Sequence, residues 1–104
     1  MARRDTYCPV EVTLDLIGNK WKILILRELF VGKKRFGELY KAIAGITQKM
    51  LTQQLRQMEG DGVINRKLYA EVPPRVVYSL TRSGRSLKPI LKAMEHWGTR
   101  YMSK

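Results

Sequence analysis

Apolar positions along this chain fall at helical spacing in several stretches and alternate in one. Val10, Leu14 and Ile17 recur at i, i+4 and i+7, which predicts a short amphipathic helix from about Pro9 to Ile17. Pro9 suits its first position, where a missing N–H has no intrahelical partner to lose. Gly18-Asn19 breaks the pattern, and Asn19 can cap a second helix from Lys20 to about Val31. The consecutive Ile23, Leu24, Ile25 and Leu26 predict that this helix is buried around most of its circumference. Phe36, Leu39, Tyr40 and Ile43 keep the i, i+3, i+4, i+7 register of a third helix. Gly45 supplies a left-handed stop. Thr47 is a good cap for a fourth helix, whose inward stripe is Leu51, Leu55 and Met58.

Beyond Gly60-Asp61-Gly62 the period changes. Val63 to Tyr69 and Arg75 to Leu80 are β-rich runs, with Val76, Tyr78 and Leu80 alternating to one face. Between them, Glu71-Val72-Pro73-Pro74 forms a stiff tip that cannot extend a sheet ladder. Thr81 caps a last helix reaching nearly to the C-terminus, with Leu87, Ile90, Leu91, Met94, Trp97 and Tyr101 as a stripe about four turns long. Pro89 inside that stretch should bend the helix or mark its true start. A domain of this size covers only the beginning of the stripe, so Trp97 and its neighbours are expected to be exposed unless another chain buries them. Two-fold pairing is the simplest way to bury them.

These elements predict a mainly α (α+β) fold: a winged helix-turn-helix with a C-terminal dimerisation helix, one domain spanning 1–104. Its parts are the N-terminal and core helices (9–31), the helix-turn-helix (36–60), the wing hairpin (63–80) and the dimerisation helix (81–103). Ala44-Gly45-Ile46-Thr47 is the kind of short turn that lets the second helix of such a pair enter a major groove.

Charge sharpens this picture. Twenty Lys and Arg against nine Asp and Glu give a net charge of +11, more than solubility requires and typical of a polyanion binder. Binding to a membrane surface would concentrate the charges on one amphipathic helix, whereas here they recur along the chain. On a wheel of about 100° per residue, Lys49, Thr52, Gln53 and Arg56 lie away from Leu51 and Leu55. Any surface helix has a polar outer face. Here, though, Gln48, Gln53, Gln54 and Gln57 precede or interleave with no acidic residue before Glu59, and an acidic side chain would repel phosphate. Lys33, Lys34 and Arg35 read as an exposed basic connection. Arg66, Lys67 and Arg75 flank the hairpin as a DNA-contacting wing requires, although a hairpin can also serve only to cover the core.

Other chemistries have little to stand on. No apolar run approaches the roughly 18 residues of a membrane span, and Met1-Ala2-Arg3-Arg4-Asp5 is not followed by the apolar core of a secretory signal. A cytoplasmic protein is expected. A single cysteine and a single histidine exclude an intrachain disulfide and leave no metal constellation, and no cofactor is expected. No paired carboxylates, Ser-His pairing or phosphate-cradling glycine loop stands at a workable spacing, so an enzyme is not expected. His96 reads as a surface or interface residue rather than a ligand or proton switch. Trp21 and Trp97 read as packing anchors, with an aromatic platform for a small effector as the alternative.

Cys8-Pro9-Val10-Glu11, Gly18-Asn19-Lys20-Trp21, Ile46 to Thr52, Asp61-Gly62-Val63-Ile64, Pro73 to Tyr78 and Trp97-Gly98 together resemble the HxlR family. The resemblance spans about nine-tenths of the chain. It implies a small bacterial winged-helix transcription regulator, dimeric through its first and last helices, acting on an inverted-repeat operator in double-stranded DNA. It maps the groove-facing residues onto Gln48, Lys49, Thr52, Gln53 and Arg56, with the wing at Arg75, in agreement with the wheel. The dimer would form through Val10, Leu14, Leu91, Met94, Trp97 and Tyr101. Some relatives sense electrophiles or oxidants through an N-terminal cysteine, and Cys8 occupies such a position. The start of a helix favours a reactive thiolate, and Arg3 and Arg4 add nearby positive charge. Cys8 could equally be a small, half-buried packing residue beside the interface. Without a second cysteine, disulfide switching would need pairing between subunits or with a small thiol. Any small-molecule effector, of unknown identity, would have to lodge at the dimer interface. The rival to DNA binding is a winged-helix adaptor whose basic surface takes an acidic protein partner.

Overall fold

A computed structural model describes residues 8–103. Six helices and three strands follow in the order α1 (Pro9–Ile17), α2 (Lys20–Val31), β1 (Lys34–Arg35), α3 (Phe36–Ala42), α4 (Gln48–Gly60), β2 (Ile64–Tyr69), β3 (Arg75–Leu80), α5 (Arg82–Arg85) and α6 (Lys88–Met102). The strands form one antiparallel sheet in the order β1-β3-β2. Ile64 pairs with Leu80 at the base of the hairpin and Tyr69 with Arg75 at its far end.

Helix α2 is the spine, as its apolar run predicts. Ile25 and Leu26 are fully buried and meet Leu39 and Ile43 near α3, Leu51, Leu55 and Met58 from α4, and Ile64, Tyr78 and Leu80 from the sheet. Ile23 and Leu24 are only half-buried, because the core occupies one side of α2 while the other faces α6. Lys22 is buried, unforeseen in a residue of its type. Tyr40 departs from the expected stripe of α3 and is exposed.

Two larger expectations also need correction. The basic segment is not a free connection: Lys34 and Arg35 form β1, whose partners are Tyr78 and Val77 of β3. That makes β3 the central strand, and Val77 is buried as well as Tyr78, although the alternation assigned only Val76, Tyr78 and Leu80 to the interior. The last helix is also not continuous from Thr81. The Thr81 hydroxyl accepts from the Gly84 N–H at 3.0 Å and caps the short α5, and a separate α6 begins at Lys88 with Pro89 in its first turn. Pro89 thus marks the true start, one of the two outcomes its ring permits. A side chain at Gly84 would overlap the Val63 carbonyl, so α5 sits hard against the root of the wing.

Candidate nucleic-acid interface

The turn between α3 and α4 depends on Gly45, whose φ of +85° lies where L side chains are strained. The Thr47 side chain then accepts from the Met50 N–H at 3.0 Å and starts α4. Leu51, Leu55 and Met58, at 0%, 2% and 0% exposure, clamp one face of α4 against α2 and the sheet. The opposite face is set by that clamp. Gln48, Lys49, Gln53, Arg56 and Gln57 are exposed, Thr52 is half-buried, and with Phe36 they line a shallow groove of about 740 Å³.

Gln54 does not belong to this face. It is 6% exposed and turned inward, because it lies three residues after Leu51 and four before Met58. The same spacing was present in the sequence, where the count of glutamines obscured it. Its carboxamide is held by Asn19 and Met50.

A second groove, about 390 Å³, runs between α4 and the root of the wing, where Arg56 and Glu59 approach Arg66 and Tyr78. Arg66 pairs with Tyr78 across the strands and therefore points to the α4 side of the sheet. Lys67 and Tyr69 lie on the other side with Arg75. The Arg75 guanidinium stands 4.3 Å over the Tyr69 ring and pairs with Glu71 at 2.7 Å, while the Lys67 ammonium lies 5.0 Å from the same ring. Arg75 is thus a half-buried, partly neutralised cation, and Lys67 is the more open charge on the wing. Lys33, just before β1, and Arg35 on it are exposed, and Lys34 is half-buried. The Arg35 N–H donates to Glu38 at 2.7 Å, which fixes the start of α3 beside this strand.

A second, chemically different surface lies on α1 and α6. Val10, Leu14, Met94, Trp97 and Tyr101 are all half or more exposed, and Trp97 stacks on Tyr101 with centroids 5.2 Å apart. Leu91 differs from its companions, being half-buried and packed on the core with Leu87 and Ile90. A groove of about 590 Å³ between α2 and α6 continues the apolar surface through Phe30, Val31 and Met94. Trp21 and Trp97 share no ring contact: Trp21 packs on the core beside Gly45, with Lys20 over its ring at 4.5 Å. His96 is exposed on α6. Cys8 is exposed at the N-cap of α1, not half-buried, and Arg3 and Arg4 lie outside the described residues. Among the described residues no group of three or more His, Cys, Asp or Glu could hold a metal, and no helix is long and apolar enough to cross a membrane.

A glycine-turned helix pair, a polar second helix, and a basic hairpin beside it define a winged helix-turn-helix regulator of the DNA-binding class. Comparison with known proteins narrows the class to a family. Residues 16–104 match the HxlR-like helix-turn-helix family. The helix-turn-helix-type transcriptional regulator YdeP of Bacillus subtilis (strain 168) is 55% identical over 97 residues, covering 93% of this chain and 76% of its own. The redox regulator HypR in its oxidized form superposes with a TM-score of 0.85 at 52% identity, covering 89% of this chain and 96% of that one. The crystal structure of the regulator YtcD superposes at 0.88, also 52% identical, covering 94% and 100%. The chain belongs to the HxlR-like helix-turn-helix family and is a DNA-binding transcriptional regulator, not an enzyme.

Proposed function

We propose that the chain acts as a homodimer on an inverted-repeat operator, with the two copies of α4 in successive major grooves about 34–36 Å apart. The observation that carries this reading is the division of α4. One face is fixed by buried side chains, and the other offers Gln48, Lys49, Thr52, Gln53 and Arg56 with no acidic residue before Glu59. Gln53, Lys49 and Arg56 read base edges; Lys33, Lys34, Arg35 and the wing cations neutralise phosphates. Pairing through the bare faces of α1 and α6 buries Val10, Leu14, Met94, Trp97 and Tyr101, with Leu91 supporting them from the core side. A protein acting on the chromosome works in the cytoplasm.

The test compares two substitutions on matched duplexes. Gln53→Ala alters preference among operator variants, whereas Lys67→Ala weakens all sequences alike and lowers the salt slope by about 1. Equal losses on every sequence for both variants would contradict the division of labour. Migration unaltered by any duplex at low salt, with binding to an acidic protein instead, would favour the adaptor reading.

Cys8 gives this reading its regulatory side. An exposed thiol at the start of α1, one turn or less from Val10, stands beside the proposed interface. Its oxidation, to a bond with the partner's Cys8 or with a small thiol, would alter how the two α1 helices meet. HypR is a redox regulator whose oxidized and reduced forms are both known, which supports the comparison. Oxidant treatment should release operator from the wild type and not from Cys8→Ser; identical release removes Cys8 from the mechanism.

A further inference from the structure

Of the four glutamines on α4, Gln54 alone is buried. An apolar side chain there would extend the stripe of Leu51, Leu55 and Met58, and a buried carboxamide is costly unless its polar atoms are bonded. Both are. Asn19 Nδ2 donates to Gln54 Oε1 at 3.1 Å, and Gln54 Nε2 donates to Met50 Sδ at 3.3 Å. Asn19 is at the same time the N-cap of α2, its Oδ1 accepting from the Lys22 N–H at 2.9 Å. Two residues further on, Trp21 lies beside the helix-turn-helix turn: a Cβ built on Gly45 would stand 4.0 Å from Trp21 Cη2. The junction of α1 and α2 therefore touches the reading unit twice, at its turn and at the middle of α4.

The two kinds of contact constrain different motions. Leu51, Leu55 and Met58 hold α4 against the core, but apolar packing is non-directional and tolerates small changes of angle. A hydrogen bond works only over about 2.7–3.2 Å and near-linear geometry. A turn of about 20° around the helix axis moves a side-chain tip roughly 6 Å out by about 2 Å. That displacement breaks a base contact while leaving the apolar stripe buried.

We propose that Gln54 is a positioning residue for DNA reading: its bond to Asn19 sets the rotation of α4, and so decides how Gln53, Lys49 and Arg56 meet the groove. The same bond ties that rotation to the residue two places beyond the end of α1, the helix that carries Cys8 and the Val10 and Leu14 face. A change in how α1 is held thus reaches the reading helix through one side-chain pair. The inference rests on the reading of α4 as the recognition helix.

The test uses Gln54→Met, which keeps the volume and loses the acceptor, and Asn19→Ser, which keeps the cap and loses the reach. The double variant completes the cycle. In the free protein, hydrogen exchange of α4 amides from Leu55 to Met58 should quicken roughly five- to tenfold in each single variant and no further in the double. Amides of β2 and β3 should keep their wild-type rates. On DNA, the duplex that the wild type enriches from a randomised pool should lose roughly five- to tenfold in affinity in each variant, while a scrambled duplex of equal length changes less than about twofold. Additive effects in the double variant, or equal acceleration across α4 and the sheet, would overturn the coupling. Equal losses on both duplexes would overturn the positioning role. A wild type that prefers no duplex would defeat the operator reading instead, and the exchange experiment would still decide whether Asn19 and Gln54 act as a pair.

Discussion

Helices α4 and α6 are of similar length, 13 and 15 residues, and both carry an apolar stripe at helical spacing. They end in opposite situations. Leu51, Leu55 and Met58 of α4 have almost no exposed surface, whereas α6 has no buried residue and leaves Trp97 two-thirds exposed. On α4 the apolar face is satisfied within one chain, so its polar face is what remains for recognition. On α6 the polar face is ordinary and the apolar face is what remains. In the proposed dimer on DNA the two helices use opposite sides, and those sides call for different partners: a wet, cationic contact for α4 and a dry one for α6.

The largest effect comes from treating the stripes as equivalent. Leu51→Ala should cost about 3 kcal/mol of folding stability, because the site is fully buried, and chemical denaturation will read it. Trp97→Ala should leave the unfolding of the isolated protomer nearly unchanged. It should instead weaken self-association by about 2 kcal/mol or more, measured by sedimentation across a concentration series. A Trp97→Ala variant that lost as much protomer stability as Leu51→Ala would erase the distinction.

Smaller changes sharpen the recognition side. Gln53→Ala should shift discrimination between operator variants by about 1–3 kcal/mol. If about six phosphates are engaged, log affinity should fall with log salt at a slope near −5. The smallest effect tests the wing: Glu71→Gln frees Arg75 from its ion pair, and affinity for every duplex should rise, by less than about 1 kcal/mol. Unchanged or weakened binding would mean that the Arg75–Tyr69 stack, not the ion pair, determines what Arg75 offers.

Much of this was legible before any coordinates. The caps at Asn19 and Thr47, the left-handed Gly45 and the hairpin between Gly62 and Thr81 are local signals, written within a few residues of where they act. The unpartnered stripe from Met94 to Tyr101 was legible because its apolar positions run several turns past those that the core can take up. What sequence obscured was non-local. Lys34 and Arg35 are polar in a loop or in an edge strand alike, and only the approach of Tyr78 and Val77 decides between the two. Arg75 reads as a free cation until Glu71 and Tyr69 are seen around it. Gln54 is a different failure, because its spacing from Leu51 and Met58 placed it inward and its polarity argued otherwise. Polarity alone misassigns a residue when a partner thirty-five positions away satisfies it.

Operator recognition as proposed depends on two copies of α4 being held at a fixed separation by the α1 and α6 faces. Binding to a series of duplexes in which the two half-sites of the enriched operator are moved apart one base pair at a time tests that most directly. Affinity should peak where the half-site centres are about 10–10.5 base pairs apart, and fall by roughly a hundredfold or more when about five are inserted, since one α4 then faces the wrong side of the helix. Equal affinity at every spacing, matching that of a single half-site, would contradict it.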